Sequence, residues 1–153
     1  MTTIRLATFK DLEEIFNLYI DNNPEFGKNH KRLKSGLTTL LRDSNKGHEV
    51  VAVANNKIIG RIHVSTQWSV YRNSNFWVFE NVYISPEWRR KKIYTIMHKW
   101  IYSHAKKDPN CCGLRFWTPK ENYPARNAYR KLNMDSTIVE LFENDFIFGK
   151  DYN

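Results

Sequence analysis

The sequence predicts a mixed α/β fold, a single sheet with helices on both faces. Three observations point to it. β-Branched runs alternate with stretches whose apolar residues recur at helical spacing; one pair of runs is joined by a two-residue turn, which makes it antiparallel; and another pair is separated by a whole helix, which makes it parallel. At 153 residues the chain is expected to be one domain spanning 1–153, able to bury roughly two thirds of its unfolded surface without disulfide or metal.

Thr3 to Leu6 is a short strand, and Thr8-Phe9-Lys10-Asp11 reads as a capping box opening a helix with Leu12, Ile15, Phe16, Tyr19 and Ile20 on one side, stopped before Pro24. A second helix is expected over Lys31 to Leu41, ended by the polar cluster Asp43 to Gly47. Glu49 to Ala54 and Lys57 to Val64 are strands joined by Asn55-Asn56, residues that tolerate positive φ in a hairpin turn. A polar, aromatic-bearing loop over Gln67 to Asn75 follows, then Phe76 to Ile84, apolar on both faces apart from Glu80 and Asn81, as the central strand. Ile93, Ile96, Met97, Trp100 and Ile101 define a helix from about Lys92 to Ala105 with a cationic outer side. Gly113 to Thr118 is a strand parallel to the central one. Asn122 or Tyr123 caps a short helix bearing Ala125, Ala128, Tyr129 and Leu132, and Asn133 is its left-handed stop. Ser136 to Phe142 and Asp145 to Phe148 close the sheet, giving the order β-α-α-β-β-β-α-β-α-β-β.

Composition narrows the setting. The two cysteines, Cys111 and Cys112, are adjacent, and no Cys/His spacing suggests zinc, so no metal and a reducing cytoplasm are expected. The N-terminus has no apolar signal core and no apolar run approaches the roughly 20 residues of a membrane span, so no membrane partner is expected. Residues 85–107 carry seven Lys or Arg against one Glu, most of the excess of this basic chain. Either an anionic partner, nucleic acid or a phosphorylated cofactor, or a solvated helix face accounts for that run. The stretch from Val82 to Tyr94 is a strand end, a basic turn and a helix start: unpaired amides and the positive end of the helix dipole favour an anion there.

Three ordered motifs give this chain a family likeness. Ile4-Arg5-Leu6-Ala7-Thr8 with Asp11, then Glu80-Asn81-Val82-Tyr83-Ile84-Ser85-Pro86-Glu87-Trp88-Arg89, then Asn122, Pro124, Ala125 and Asn127 to Leu132 resemble the first strand, fourth strand and last helix of the GNAT family of N-acetyltransferases. The pattern is most similar to the polyamine and small-amine branch. The resemblance spans nearly the whole chain and implies an acyl-CoA N-acyltransferase fold, with acetyl-CoA as co-substrate and a primary amine as acceptor. Two departures stand out. Asn133-Met134 replaces Gly-Phe, and the family's Arg/Gln-x-x-Gly-x-Gly/Ala becomes Arg89-Arg90-Lys91-Lys92-Ile93-Tyr94, keeping the arginine and losing both glycines. Either Lys92 swings aside and its backbone still faces the pyrophosphate, or cofactor binding is weakened.

The resemblance assigns roles residue by residue. Acetyl-CoA would lie between the parallel strands, with backbone groups of Val82, Tyr83 and Ile84 along its pantetheine, its pyrophosphate on Arg89, Arg90, Lys91, Lys92, Ile93, Tyr94 and Thr95, and Asn122 near the pantetheine arm. Glu80, taken to share its strand face with Phe76, Val78, Val82 and Ile84, would be buried, its pKa raised toward that of a useful base; a structural carboxylate at a bulge is the other reading. Tyr129 matches the tyrosine that protonates the leaving thiolate; a core tyrosine would look alike. Trp68 and Tyr71 would line the acceptor site together with residues of the first two helices; aromatics tucked onto the sheet are the other reading. His98 and His104 are read as solvated. The acceptor is left as a small molecule, a peptide or an amine associated with nucleic acid, and a homodimer is expected from the family's habits. The competing reading is a GNAT-fold protein with weakened or lost cofactor binding whose basic surface takes nucleic acid or a protein partner.

Overall fold

The computed structural model describes residues 1–24, 29–137, 141–142 and 145–147. They fall into two compact units, Met1–Trp117 and Thr118–Asn153. The first holds β1 (Thr3–Leu6), α1 (Leu12–Asn22), α2 (His30–Arg42), β2 (His48–Ala54), β3 (Lys57–Ser69), β4 (Ser74–Ile84), α3 (Ile93–Ala105) and β5 (Cys111–Phe116); the second holds α4 (Tyr123–Arg130). The five strands form one sheet in the order β1-β2-β3-β4-β5. Its first three pairings are antiparallel and β4–β5 is parallel, the mixed topology expected from the sequence.

Local chemistry explains the element ends. The Thr8 amide and hydroxyl both donate to the Asp11 carboxylate, at 2.7 and 3.0 Å, and the Arg5 guanidinium forks onto the same group with two contacts of 2.8 Å. The Arg5 hydrogen bonds, opposed by partial burial and helped by Thr8, hold the Asp11 carboxyl at about 2. Asn55 and Asn56 take φ of 52° and 58° in the β2–β3 turn, and Asn133 takes 59° after α4, the left-handed conformations their side chains tolerate.

Strand alternation sorts the core onto two faces. Val50, Ala52, Ile62, Val64 and Phe79 pack with Ile93, Met97 and Ile101 of α3 on one face. Val51, Ile58 and Tyr83 pack with Leu12, Ile15 and Leu18 of α1 and Leu37 of α2 on the other.

Several boundaries differ from expectation. Gln67 to Ser69 belongs to β3 and Ser74 and Asn75 to β4, so the expected loop shrinks to the 3-10 turn Val70–Arg72 and a left-handed Asn73. The polar stretch reads as a loop because it lacks an apolar face, yet its backbone pairs fully, Ser69 opposite Ser74. β5 begins and ends two residues earlier than the expected strand from Gly113 to Thr118. On α3, Ile96 is 44% exposed while His98 is 3% exposed, ringed by Phe79, Tyr94 and Tyr102, so His98 is not the solvated residue its cationic neighbours suggested. Of the expected final strand pair, Ser136 to Phe142 and Asp145 to Phe148, residues 138–140 and 148 lie outside the described residues, and those described within it carry no strand. Among the described residues no helix is long and apolar enough to cross a membrane.

Candidate active site

The parallel strands part company in mid-sheet. β4 and β5 pair from Asn75–Cys111 to Phe79–Phe116, where the two phenyl rings stack at 5.3 Å, while β4 continues to Ile84. Beyond Phe79 one edge of β4 therefore has no strand partner among the described residues. The Ser85 amide donates to the Ile59 carbonyl on the β3 side at 3.0 Å, so by two-residue alternation Tyr83 also bonds toward β3, and Val82 and Ile84 present their backbone groups to the open edge. The Ile84 carbonyl is taken by Arg89 Nε at 3.0 Å. Of the three residues expected along the pantetheine, Val82 thus offers a free amide, whereas the Tyr83 amide faces its neighbouring strand and its ring is in the α1-side core.

The basic turn holds left-handed backbone without glycine. Arg90 and Lys92 hold φ of 61° and 63°, left-handed conformations that cost a non-glycine residue about 1–2 kcal/mol each. Lys92 thus keeps a backbone geometry suited to glycine, with its side chain exposed. It is also the N-cap of α3, whose first intrahelical bond runs from the Ile96 amide to the Lys92 carbonyl at 3.0 Å. The amides of Arg90, Lys91, Lys92, Ile93 and Thr95 have no protein acceptor among the described residues. Arg90 and Lys92 reach solvent, Lys91 lies over the Trp88 ring at 5.1 Å, and Arg89 braces Ile84. Open amides, a helix N-terminus and four cations fit a pyrophosphate.

Glu80 departs from expectation. β3 and β4 slip register between His63 opposite Asn81 and Val64 opposite Phe79, which makes Glu80 the extra residue of a β-bulge. The bulge breaks the alternation: Phe79, Val82 and Ile84 pack on the α3 face, and Glu80 is exposed instead of buried beside Val82 and Ile84. Its carboxylate accepts a short hydrogen bond from the Ser65 hydroxyl. Ser65 follows the α3-facing Val64, so Glu80 is held toward the α1–α2 side.

On that side lies a buried polar group that sequence reasoning missed. Glu49 and Arg61 have fully buried side chains 3.5 Å apart. Tyr19 donates to Glu49 at 3.2 Å, its ring lies 3.2 Å from the Arg61 guanidinium carbon, and Arg61 and Asn22 both donate to the Asn81 side chain, at 3.0 and 2.8 Å. Burial pushes the Glu49 carboxyl up to about 7, with Arg61 and the Tyr19 hydroxyl pulling the other way. The signal was present in the sequence, as opposite charges set at alternate positions of two apolar runs joined by a hairpin.

The aromatics proposed for the acceptor do not join this group. Trp68 is 57% and Tyr71 99% exposed, at the far end of the β3–β4 ribbon. Trp68 is three positions beyond Ser65, about 10 Å along β3, and Tyr71 lies in the turn beyond the strand's end. In the second unit, the Asn122 side chain caps α4 by accepting from the Ala125 amide at 3.2 Å. Tyr129 is half-buried, and burial pushes its phenol up while a hydrogen bond with the Thr118 side chain opposes the shift.

This arrangement has close parallels. Residues 12–134 match the acetyltransferase (GNAT) family. A possible acetyltransferase from Clostridium difficile 630 is 31% identical, with a TM-score of 0.84 over 96% of this chain and 99% of that one. An aminoglycoside N-acetyltransferase in complex with CoA is 16% identical, with a TM-score of 0.81 over 95% of each chain. A ribosomal-protein-alanine N-acetyltransferase from Brucella melitensis biovar Abortus 2308 is 14% identical, with a TM-score of 0.76 over 95% of this chain and 100% of that one. No curated protein matches the sequence. With a parted parallel strand pair, a bulged fourth strand, an amide-lined basic turn and a family match over most of its length, the chain belongs to the GNAT family of acetyltransferases.

Proposed function

We propose that the protein transfers an acetyl group from acetyl-CoA to a primary amine by direct attack. The observation that carries this reading is the left-handed Lys92, which keeps the amides of the turn open beside the free edge of β4. Arg90, Lys91 and Lys92 neutralise the pyrophosphate, with the amides of Lys91, Lys92, Ile93, Tyr94 and Thr95 around it. The Val82 amide polarises the thioester carbonyl, a preorganised donor with no side chain to reorient. Glu80, directly or through one water, accepts the proton that an ammonium must lose before its nitrogen attacks; its exposure leaves it accessible to that cation. Tyr129 gives its phenolic proton to the departing thiolate. Burial favours the neutral phenol, so the donor is in its protonated form at neutral pH.

The reading in which the fold has lost its cofactor requires the Lys92 side chain to fill the turn. An exposed side chain on a left-handed backbone argues against it.

Thermal unfolding with and without acetyl-CoA tests the proposal. At about a hundred times its dissociation constant the ligand contributes roughly 2.7 kcal/mol, a shift of several degrees for a chain of this size. Release of free thiol on adding a panel of amines measures the transfer, and Tyr129→Phe is expected to slow it with acetyl-CoA affinity unchanged. No thermal shift at millimolar acetyl-CoA would sink the assignment.

A further inference from the structure

A bulge fixes which way the side chains around it face, because moving it by one residue turns one of them to the other side of the sheet. In β4 the extra residue is Glu80, between Asn81, opposite His63, and Phe79, opposite Val64. Asn81 shares the α1–α2 face with Tyr83 by alternation, and Ser65 holds Glu80 toward the same face, so two consecutive side chains stand together there. Apolar burial rejects only one of the two neighbouring registers. With the bulge at Phe79, Glu80 would lie opposite Val64 in the α3-side core, an uncompensated buried carboxylate. With the bulge at Asn81, Glu80 would take the place opposite His63 while Phe79 stayed opposite Val64 and Val82 opposite Ile62, so the apolar core would be unchanged.

Polar contacts exclude that second register. Asn81 Oδ1 accepts from Arg61 Nη2 of β3 at 3.0 Å and from Asn22 Nδ2, at the end of α1, at 2.8 Å. A guanidinium has donors only, so the atom that faces it is the amide oxygen, and the Asn81 side chain is oriented without ambiguity. Arg61 is fully buried, its Nη1 lies 3.5 Å from Glu49, and its Nε has no hydrogen-bond partner among the described residues. Moving Asn81 off the ladder would leave a second donor of this buried cation unmet. Taking the protein as an amine acetyltransferase, we infer that Asn81 is a positioning residue: anchored by Arg61 and Asn22, it pins the bulge one residue before itself and thereby sets the Glu80 carboxylate beside Ser65. The proton acceptor is aimed from β3 and α1, through a neighbour that itself takes no proton.

Cross-strand amide contacts in nuclear magnetic resonance read the register, and thiol release with phenethylamine or spermidine, whichever is turned over faster, reads the transfer. Asn81→Ala removes the anchored oxygen. The contact of residue 63 is expected to pass from residue 81 to residue 80, with Val64–Phe79 and Ile62–Val82 kept. In the same variant kcat should fall about tenfold or more while the KM for acetyl-CoA stays within about twofold. Asn22→Ala leaves Arg61 its acceptor, which guards against misfolding of the first variant, and should lower kcat by about threefold. Added to Glu80→Gln, Asn81→Ala should slow transfer by less than about twofold more, whereas a merely structural role would slow both backgrounds alike. A register unmoved in both variants, or losses that multiply in the double variant, overturns the assignment while acetyl-CoA binding keeps the acetyltransferase reading. If calorimetry finds no acetyl-CoA binding, that reading fails; then, and where neither amine is turned over, the register alone decides. Pairing that passes from residue 81 to residue 80 in Asn81→Ala supports the pin, and pairing that stays overturns it.

Discussion

The two faces of the sheet are built differently. On the α3 face, Ile62, Met97 and Ile101 are fully buried among apolar neighbours, with His98 a buried polar side chain beside them. The α1–α2 face has comparable apolar residues but also a buried Glu49–Arg61 pair and the carboxylate of a bulge. Burying a charged pair is stabilising only when geometry and further hydrogen bonds offset its desolvation, so a chain selected for stability alone has little use for one. The contrast is between an apolar face and one that carries buried polar groups, with β4 contributing to both.

The sharpest way to break this contrast is Arg61→Ala, which leaves Glu49 buried without a counter-charge. A loss of about 3–5 kcal/mol is expected at neutral pH by urea denaturation, together with a raised amine KM. Met97→Ala on the other face should cost about 3 kcal/mol through its cavity, yet leave the amine KM unchanged among molecules that remain folded. If both substitutions moved the KM alike, the division of labour would be wrong.

Acidity sharpens the comparison further. Glu49 is raised from 4.5 to about 7, so the folded chain holds that proton more tightly; its stabilising contribution is present below 4.5 and is lost as pH rises through 7. Asp11 is lowered from 3.8 to about 2, so its contribution is present above 3.8 and is lost as pH falls toward 2. Glu49→Gln should flatten the neutral side of the stability profile and Asp11→Asn the acid side, as read from denaturant midpoints across pH.

The smallest effect lies in the turn. Lys92→Gly relieves a left-handed side chain at the cost of backbone entropy, for a net gain of about 0.5 kcal/mol and a melting temperature higher by about 1–2 °C. Acetyl-CoA affinity in that variant should show a shallower salt dependence, because one cation is gone.

What the sequence revealed follows from periodicity. The Asn55-Asn56 turn, the buried stripe of Ile93, Met97 and Ile101, the parallel β4–β5 pair and the left-handed Asn133 all rest on local patterns that the structure keeps. The burial of Glu80 was misjudged because alternation assumes that no strand carries an extra residue, and a bulge is specified by pairing with β3, not by β4 alone. Gln67 to Ser69 read as a loop because a ribbon beyond the core has no face to bury. His98 was misplaced because its cationic neighbours suggested a narrower buried arc on α3.

Where β2 ends, the sheet gains an edge. β2 starts at His48 opposite Val64, and a side chain on Gly47, whose φ is 117°, would run into the Val64 carbonyl. Ser65 to Ser69 of β3 therefore has β4 on one side and no described strand on the other. On that edge the segment's backbone groups have no described strand partner, so its amides should exchange hydrogen through local opening, on a timescale separate from that of the amides in Ile58 to Val64, where β2 covers the second edge.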